Sequence, residues 1–177
     1  MRDLAHAAGV SFATPFNQFG SKLSIMRALS AGRIECMHER AAAASLSADA
    51  SERVLQVVAI AAAVMNEKSS INRAVMGAIS APGVEPGDIR ERSRALWAAA
   101  LGNGAGLATE HEELGRSILP DQLAIAFRGV LSFWTAGEIQ DEDLHREALA
   151  AAATLLFGFV GNARQKQLAG LTNAMPR

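Results

Sequence analysis

The sequence predicts an all-α protein, and three observations carry that prediction. Apolar residues recur at helical rather than alternating spacing along most of the 177 residues. Alanine is abundant while β-branched runs are few. Aromatic residues make up only 5% and tyrosine is absent, a composition that suits helices better than sheets. A hydrophobic content of 50% is ample for a core, and the length suits one medium domain or a small head on a larger body. The single cysteine, Cys36, excludes an internal disulfide. With no basic, apolar-cored leader before a cleavage site, the expected setting is a reducing cytoplasm. No apolar stretch reaches the roughly 18 uncharged residues that a bilayer span needs; the longest candidate runs from Ala148 to Val160.

The opening residues read as two short helices around a tight turn. Leu4, Ala5 and Ala8 fall at helical spacing, Gly9 can take the positive φ at which the first helix must stop, and Val10 turns inward. Ser11 is a good N-cap for a second helix, on which Phe16 and Phe19 lie three apart on one face. That helix stops at Gly20, and Ser21 caps the next.

In order and without gaps, Arg2-Asp3-Leu4-Ala5, Ala8-Gly9-Val10-Ser11, Thr14, Phe16 and Phe19-Gly20-Ser21-Lys22 resemble the DNA-binding signature of the TetR (tetracycline-repressor-like) family of bacterial transcription regulators. The resemblance implies a helix-turn-helix head whose second helix enters the DNA major groove. It places Phe12, Ala13, Thr14, Asn17 and Gln18 on the exposed face of the recognition helix. Asn17 and Gln18 carry amides able to bond base edges, and Thr14 can bond a base or offer a methyl group to thymine. Ser21 and Lys22 would hold the phosphate backbone, Lys22 adding salt dependence. Pro15, Phe16 and Phe19 are left to packing. Two departures stand out: the family carries a further helix ahead of this unit, whereas nothing precedes Arg2 here except Met1, and Pro15 stands where an aliphatic residue is usual. The head is therefore read as truncated, with Leu4, Ala8, Phe16 and Phe19 in need of a third surface.

Charge is distributed in keeping with this. The chain carries a net −1, but residues 1–40 hold five basic against three acidic side chains, a net of +2 that leaves −3 for the rest. A mildly basic head on a mildly acidic body fits a DNA-facing end.

From Lys22 to about Ser45, the pattern of Ile25, Ala28, Leu29 and Cys36 reads as one long helix linking head to body, with Gly32 allowing close packing against a neighbour. Residues 1–45 thus form the head and linking helix, and 46–177 the ligand-binding and dimerisation body. Ser47 to Ser51 offers several caps for a buried stripe of Val54, Leu55, Val58, Ala61, Ala62 and Met65. After a break at Asn66 to Ser70, Ile71, Val75, Met76 and Ile79 make a shorter helix, ended by Pro82-Gly83 and a loop through Pro86-Gly87. Asp88 caps a helix whose Arg90, Arg92 and Arg94 read as a solvated face. It ends after Trp97 and Leu101 in Gly102-Asn103-Gly104-Ala105-Gly106, read as a hinge or kink.

No catalytic constellation is visible. The glycine cluster is not a dinucleotide fingerprint, because Leu107 occupies the sixth position and no strand precedes it. His111-Glu112-Glu113-Leu114-Gly115 lacks the second histidine of a zinc-protease helix, and Cys36 and His38 cannot share a helix face. The expectation is no enzyme, no metal and no cofactor.

In the last third, Pro120-Asp121 start a helix that ends at Gly137, and Asp141 or Asp143 starts another that fades near Gly161, the two forming an antiparallel hairpin. Both are apolar over more than one stripe, more than one buried face requires. In the family the corresponding pair forms a four-helix bundle with its twofold mate. Leu131, Trp134, Ala148, Ala152, Leu156 and Phe159 are the expected homodimer interface. Met65, Met76, Trp97, Phe127, Phe133 and Trp134 are the expected walls of an effector cavity, methionine being adaptable and tryptophan able to stack or donate a bond. The resemblance thus implies a homodimeric repressor bound to a palindromic operator in double-stranded DNA and released by a small molecule of unknown identity. The alternative is a small-molecule-binding and dimerisation module whose truncated head no longer binds DNA.

Overall fold

Glycine ends the first two helices. Gly9 and Gly20 both sit at positive φ, 64° and 72°, a region open to glycine without steric penalty. They close α1 (Arg2–Ala7) and α2 (Ala13–Phe19). The computed structural model describes residues 2–11, 13–81 and 87–173, with side chains from residue 5 to residue 172. Phe12 and the loop from Pro82 to Pro86 lie outside the described residues. Among these every regular element is helical, with seven further α-helices: α3 (Lys22–Ala43), α4 (Ala50–Asn66), α5 (Ser69–Ile79), α6 (Ile89–Leu101), α7 (Glu112–Ala136), α8 (Asp141–Leu156) and α9 (Asn162–Asn173). No single helix among them is long and apolar enough to cross a membrane.

The caps are local chemistry. Ser21 Oγ accepts the Ser24 N–H at 3.0 Å and starts α3, as its position predicts. Asp49 does the same for α4, accepting from Glu52 N at 2.9 Å. Ser11 differs: its hydroxyl bonds that of Thr14 at 2.9 Å and its carbonyl accepts the Thr14 N–H, just ahead of α2, whose described residues begin at Ala13.

At the centre lies α4, whose Val54, Val57, Val58, Ala61, Ala62 and Val64 are all buried. It packs on α3, α6 and α8, and α8 is further covered by α7 and α9. The turn after α6 is docked rather than hinged. Arg53 of α4 donates to the carbonyls of Ala100 and Leu101, two of the orphan acceptors that end α6. Ala50 N also bonds Ala105 O. Gly106, at φ 95°, lies so close to Asp49 that a Cβ there would fall 2.0 Å from Oδ2.

Three other expectations need correction. Gly32 is exposed and an added Cβ would meet nothing within 4 Å, so it serves no close helix contact. Pro120 does not start a helix; it is buried inside α7, eight residues beyond the first residue, Glu112. The second helix of the hairpin does end before Gly161, α8 passing through a 3-10 turn at Phe157–Phe159, and beyond it lies α9, which no expectation covered, anchored by Leu168 in the core and by Arg164 Nε on Ser51 Oγ at 2.9 Å. Phe16 and Phe19 remain 42% and 38% exposed instead of packed away.

The expected dimer interface is also mostly internal. Leu131, Trp134, Ala148, Ala152 and Leu156 are at most 5% exposed within the single chain, and Phe159 is half-buried against the core. The physical reason is α4 together with α9: they occupy the faces of α8 that the sequence leaves apolar. The small alanines let α4 approach α8 within one subunit.

Candidate functional site

A cavity of about 400 Å³ opens among α3, α5, α6 and α7, with Met65 at the end of α4 also in its wall. Each helix contributes residues one turn apart: Ser30, Ile34 and Met37 from α3; Asn72, Val75, Met76 and Ile79 from α5. Helix α6 adds Ile89, Ser93, Leu96 and Trp97, and α7 adds Ala124, Phe127, Arg128 and Leu131. Such spacing puts one face of each helix on a common space.

Four of the six expected wall residues line it: Met65, Met76, Trp97 and Phe127. The Trp97 and Phe127 rings meet edge to face at 5.4 Å. Phe133 and Trp134 do not. Phe133, six residues beyond Phe127, lies some 240° around α7 at 100° per residue and is 54% exposed. Trp134 is fully buried one turn past the cavity, with its Nε1 donated to Asp141 at 2.8 Å. Leu131, expected at the dimer interface, lines the cavity.

The polar part of the wall was not read from the sequence. Asn72 is buried and spends its Nδ2 on the Val64 and Met65 carbonyls, at 3.3 and 2.7 Å. Arg27, Arg33, Arg90 and Arg128 also line the cavity. Each alone resembles a surface arginine, and only the packing of α3, α6 and α7 brings them together. Arg128 donates to Ser80 Oγ and, at 3.3 Å, to Met76 Sδ, and burial pushes its guanidinium below its usual range. Trp97 Nε1 is buried without an acceptor.

At the other end of α3 stand the residues expected to meet DNA. Ala13, Asn17, Gln18, Ser21 and Lys22 are exposed, and Thr14 is half-buried beside Ser11. Phe12 lies outside the described residues. Ser21 is occupied as the α3 cap. The first turns of α2 and α3 carry no acid, nor do those of α5 and α9, whereas those of α4, α6, α7 and α8 each do. Lys22 instead puts a cation at the positive end of α3, a placement unfavourable by about 0.3–1 kcal/mol unless an anion joins it. Among the described residues, no three His, Cys, Asp or Glu side chains come together in a way that could hold a metal ion.

Compared with known proteins, the chain matches no family model, no curated protein and no solved structure.

Proposed function

We propose that this chain is a sequence-specific DNA-binding transcriptional regulator, a repressor that acts as a homodimer and is released by a small molecule. One observation carries the reading: α3 is a single continuous helix that starts at the head and forms a wall of the cavity. Lys22 and Ser30 are eight residues apart on it, roughly 12 Å. A ligand that displaces α3 at Ser30, Ile34 or Met37 displaces the turn that presents Asn17, Gln18 and Lys22. Such coupling needs only that the ligand prefer one placement of α3 over another.

The head supports the reading in three ways. Two short helices, α1 and α2, flank Gly9 at positive φ, in keeping with the opening motif. The amides of Asn17 and Gln18 are exposed, available for bidentate contact with adenine. The acid-free first turns of α2 and α3 suit phosphate.

Dimerisation falls to the outer face of α7. Leu114, Ile118 and Phe133 are 38% to 54% exposed on that helix, an apolar surface of the kind that marks an interface, and Ile125, 51% exposed, joins the wall of the cavity. Two heads about 34 Å apart would read a palindrome.

The exposure of Phe16 and Phe19 favours the second reading, a ligand-binding and dimerisation module whose head does not grip DNA. A mobility-shift titration with the gene's own upstream duplex, at stated salt, separates the two. The regulator binds that duplex more tightly than a scrambled one. Gln18→Ala then loses about 1–3 kcal/mol on the specific site, while Lys22→Ala weakens all duplexes alike and reduces the salt slope by about one. Equal binding to scrambled and upstream DNA rejects the regulator.

A further inference from the structure

We propose that the cavity selects a small organic anion, its apolar body against the methionine and aromatic wall and its anionic head, carboxylate or phosphate, on Arg128. This rests on the effector role given to the cavity above and names the class of effector.

The first support is the sign of the wall. Four arginines line the cavity and, among the described residues, no aspartate or glutamate does. With 17 basic and 18 acidic residues in the chain, composition does not account for that imbalance.

Arg128 is the second. Its neighbours are a hydroxyl and a thioether, and no carboxylate stands within 4.0 Å among the described residues. The guanidinium is partly withdrawn from water without a counter-charge, an arrangement that costs free energy until an anion arrives. Arg90 differs, being 72% exposed and already paired with Asp121 at 3.1 Å. Arg128 thus combines partial burial with the lack of a carboxylate, and its guanidinium retains N–H groups for a planar acceptor pair.

Trp97 is the third. Its side chain lines the cavity, is fully buried, and has an Nε1–H with no acceptor. The Trp97 Nε1–H is thus an unspent donor, and an anionic head brings only acceptors. An ammonium head would bring donors and a second positive charge.

The test is calorimetric titration of the full chain without DNA, using decanoate, decyl phosphate, decanol and decyltrimethylammonium below their micelle concentrations. Decanoate or decyl phosphate should bind about tenfold or more tighter than decanol, and the cation should not bind. The stronger of the two anions identifies carboxylate or phosphate as the head. Arg128→Gln should bring the preferred anion down to the affinity of decanol and leave decanol unchanged. If that variant does not fold, the series on the wild-type chain decides alone. Decanol equal to both anions, a cation that binds best, an anion preference that survives in Arg128→Gln, or no binding by any of the four overturns the assignment. DNA affinity is measured separately. Operator binding without anion preference rejects the anion and keeps the regulator; anion preference without operator binding does the reverse.

Discussion

The guanidinium of Arg73 lies 4.3 Å from the centroid of the Trp134 ring, and both side chains donate to the same oxygen of Asp141, at 2.6 and 2.8 Å. Three helices meet at this point, α5 through Arg73, α7 through Trp134 and α8 through its first residue. Arg73 also donates to the Trp134 carbonyl. The joint fixes the far side of the cavity by holding α5 against α7.

Protonation of Asp141 should loosen that joint. Hydrogen bonds from Arg73 first, then Ser69 and Trp134, hold its carboxyl below the usual range, with burial opposing. A lowered folded-state value means the stabilisation is complete above the ordinary aspartate value of about 4 and disappears as pH falls through the lower one. Asp141→Asn should therefore lower stability at pH 7 by about 1 kcal/mol, a figure kept small because the carboxylate is half exposed. In urea unfolding, the gap between wild type and variant should close between about pH 5 and pH 2. A gap that widens with acid would show that Asp141 is not the titrating partner.

Two glycines should respond to alanine in opposite directions. Gly106→Ala forces a Cβ at φ 95° into the carboxylate of Asp49, 2.0 Å away, and so strains the backbone and displaces the cap of α4. A loss of about 1–3 kcal/mol is expected. Gly32→Ala adds a methyl group to an open, exposed position within α3 and should gain about 0.5–1 kcal/mol from helix propensity. Thermal melts of the two single variants check both signs.

Features set by nearest neighbours were legible in the sequence. Gly9 and Gly20 end helices, Ser21 caps α3, Gly137 ends α7 and Asp141 starts α8, because each depends on a few adjacent residues. Features set by packing were not. Helix α9 was missed because among its described side chains only Leu168 is buried, too little to make a periodic signal. The cavity was found through Met65, Met76, Trp97 and Phe127 because their size and softness mark them individually. Its arginines were missed because a cationic wall depends on how separate helices are brought together.

Pro120 shows a local signal misread for want of that context. A Pro-Asp pair is a good helix start, yet here α7 runs through it. The Arg116 carbonyl then has no N–H four residues on. Pro120→Ala restores that donor and removes a penalty of about 3 kcal/mol, against roughly 1.6 kcal/mol for two lost buried methylenes. A net gain of about 1 kcal/mol in urea unfolding is expected; a loss would mean that the ring's packing outweighs the backbone.

The corrected interface separates two variants that the sequence alone would have treated alike. Ala152 is 3% exposed on α8, with α4, α7 and α9 packed around that helix, so Ala152→Leu overpacks the core. It should lower the stability of the subunit by about 1–3 kcal/mol. Phe133 is 54% exposed on the outer face of α7, so Phe133→Glu leaves the core intact and places a charge where a second copy would sit. Sedimentation velocity should then show the wild type as a dimer and Phe133→Glu as a monomer, with unchanged helix content by circular dichroism. If Phe133→Glu stays dimeric while Ala152→Leu dissociates without unfolding, the subunits meet through α8 and the internal packing described for it is wrong.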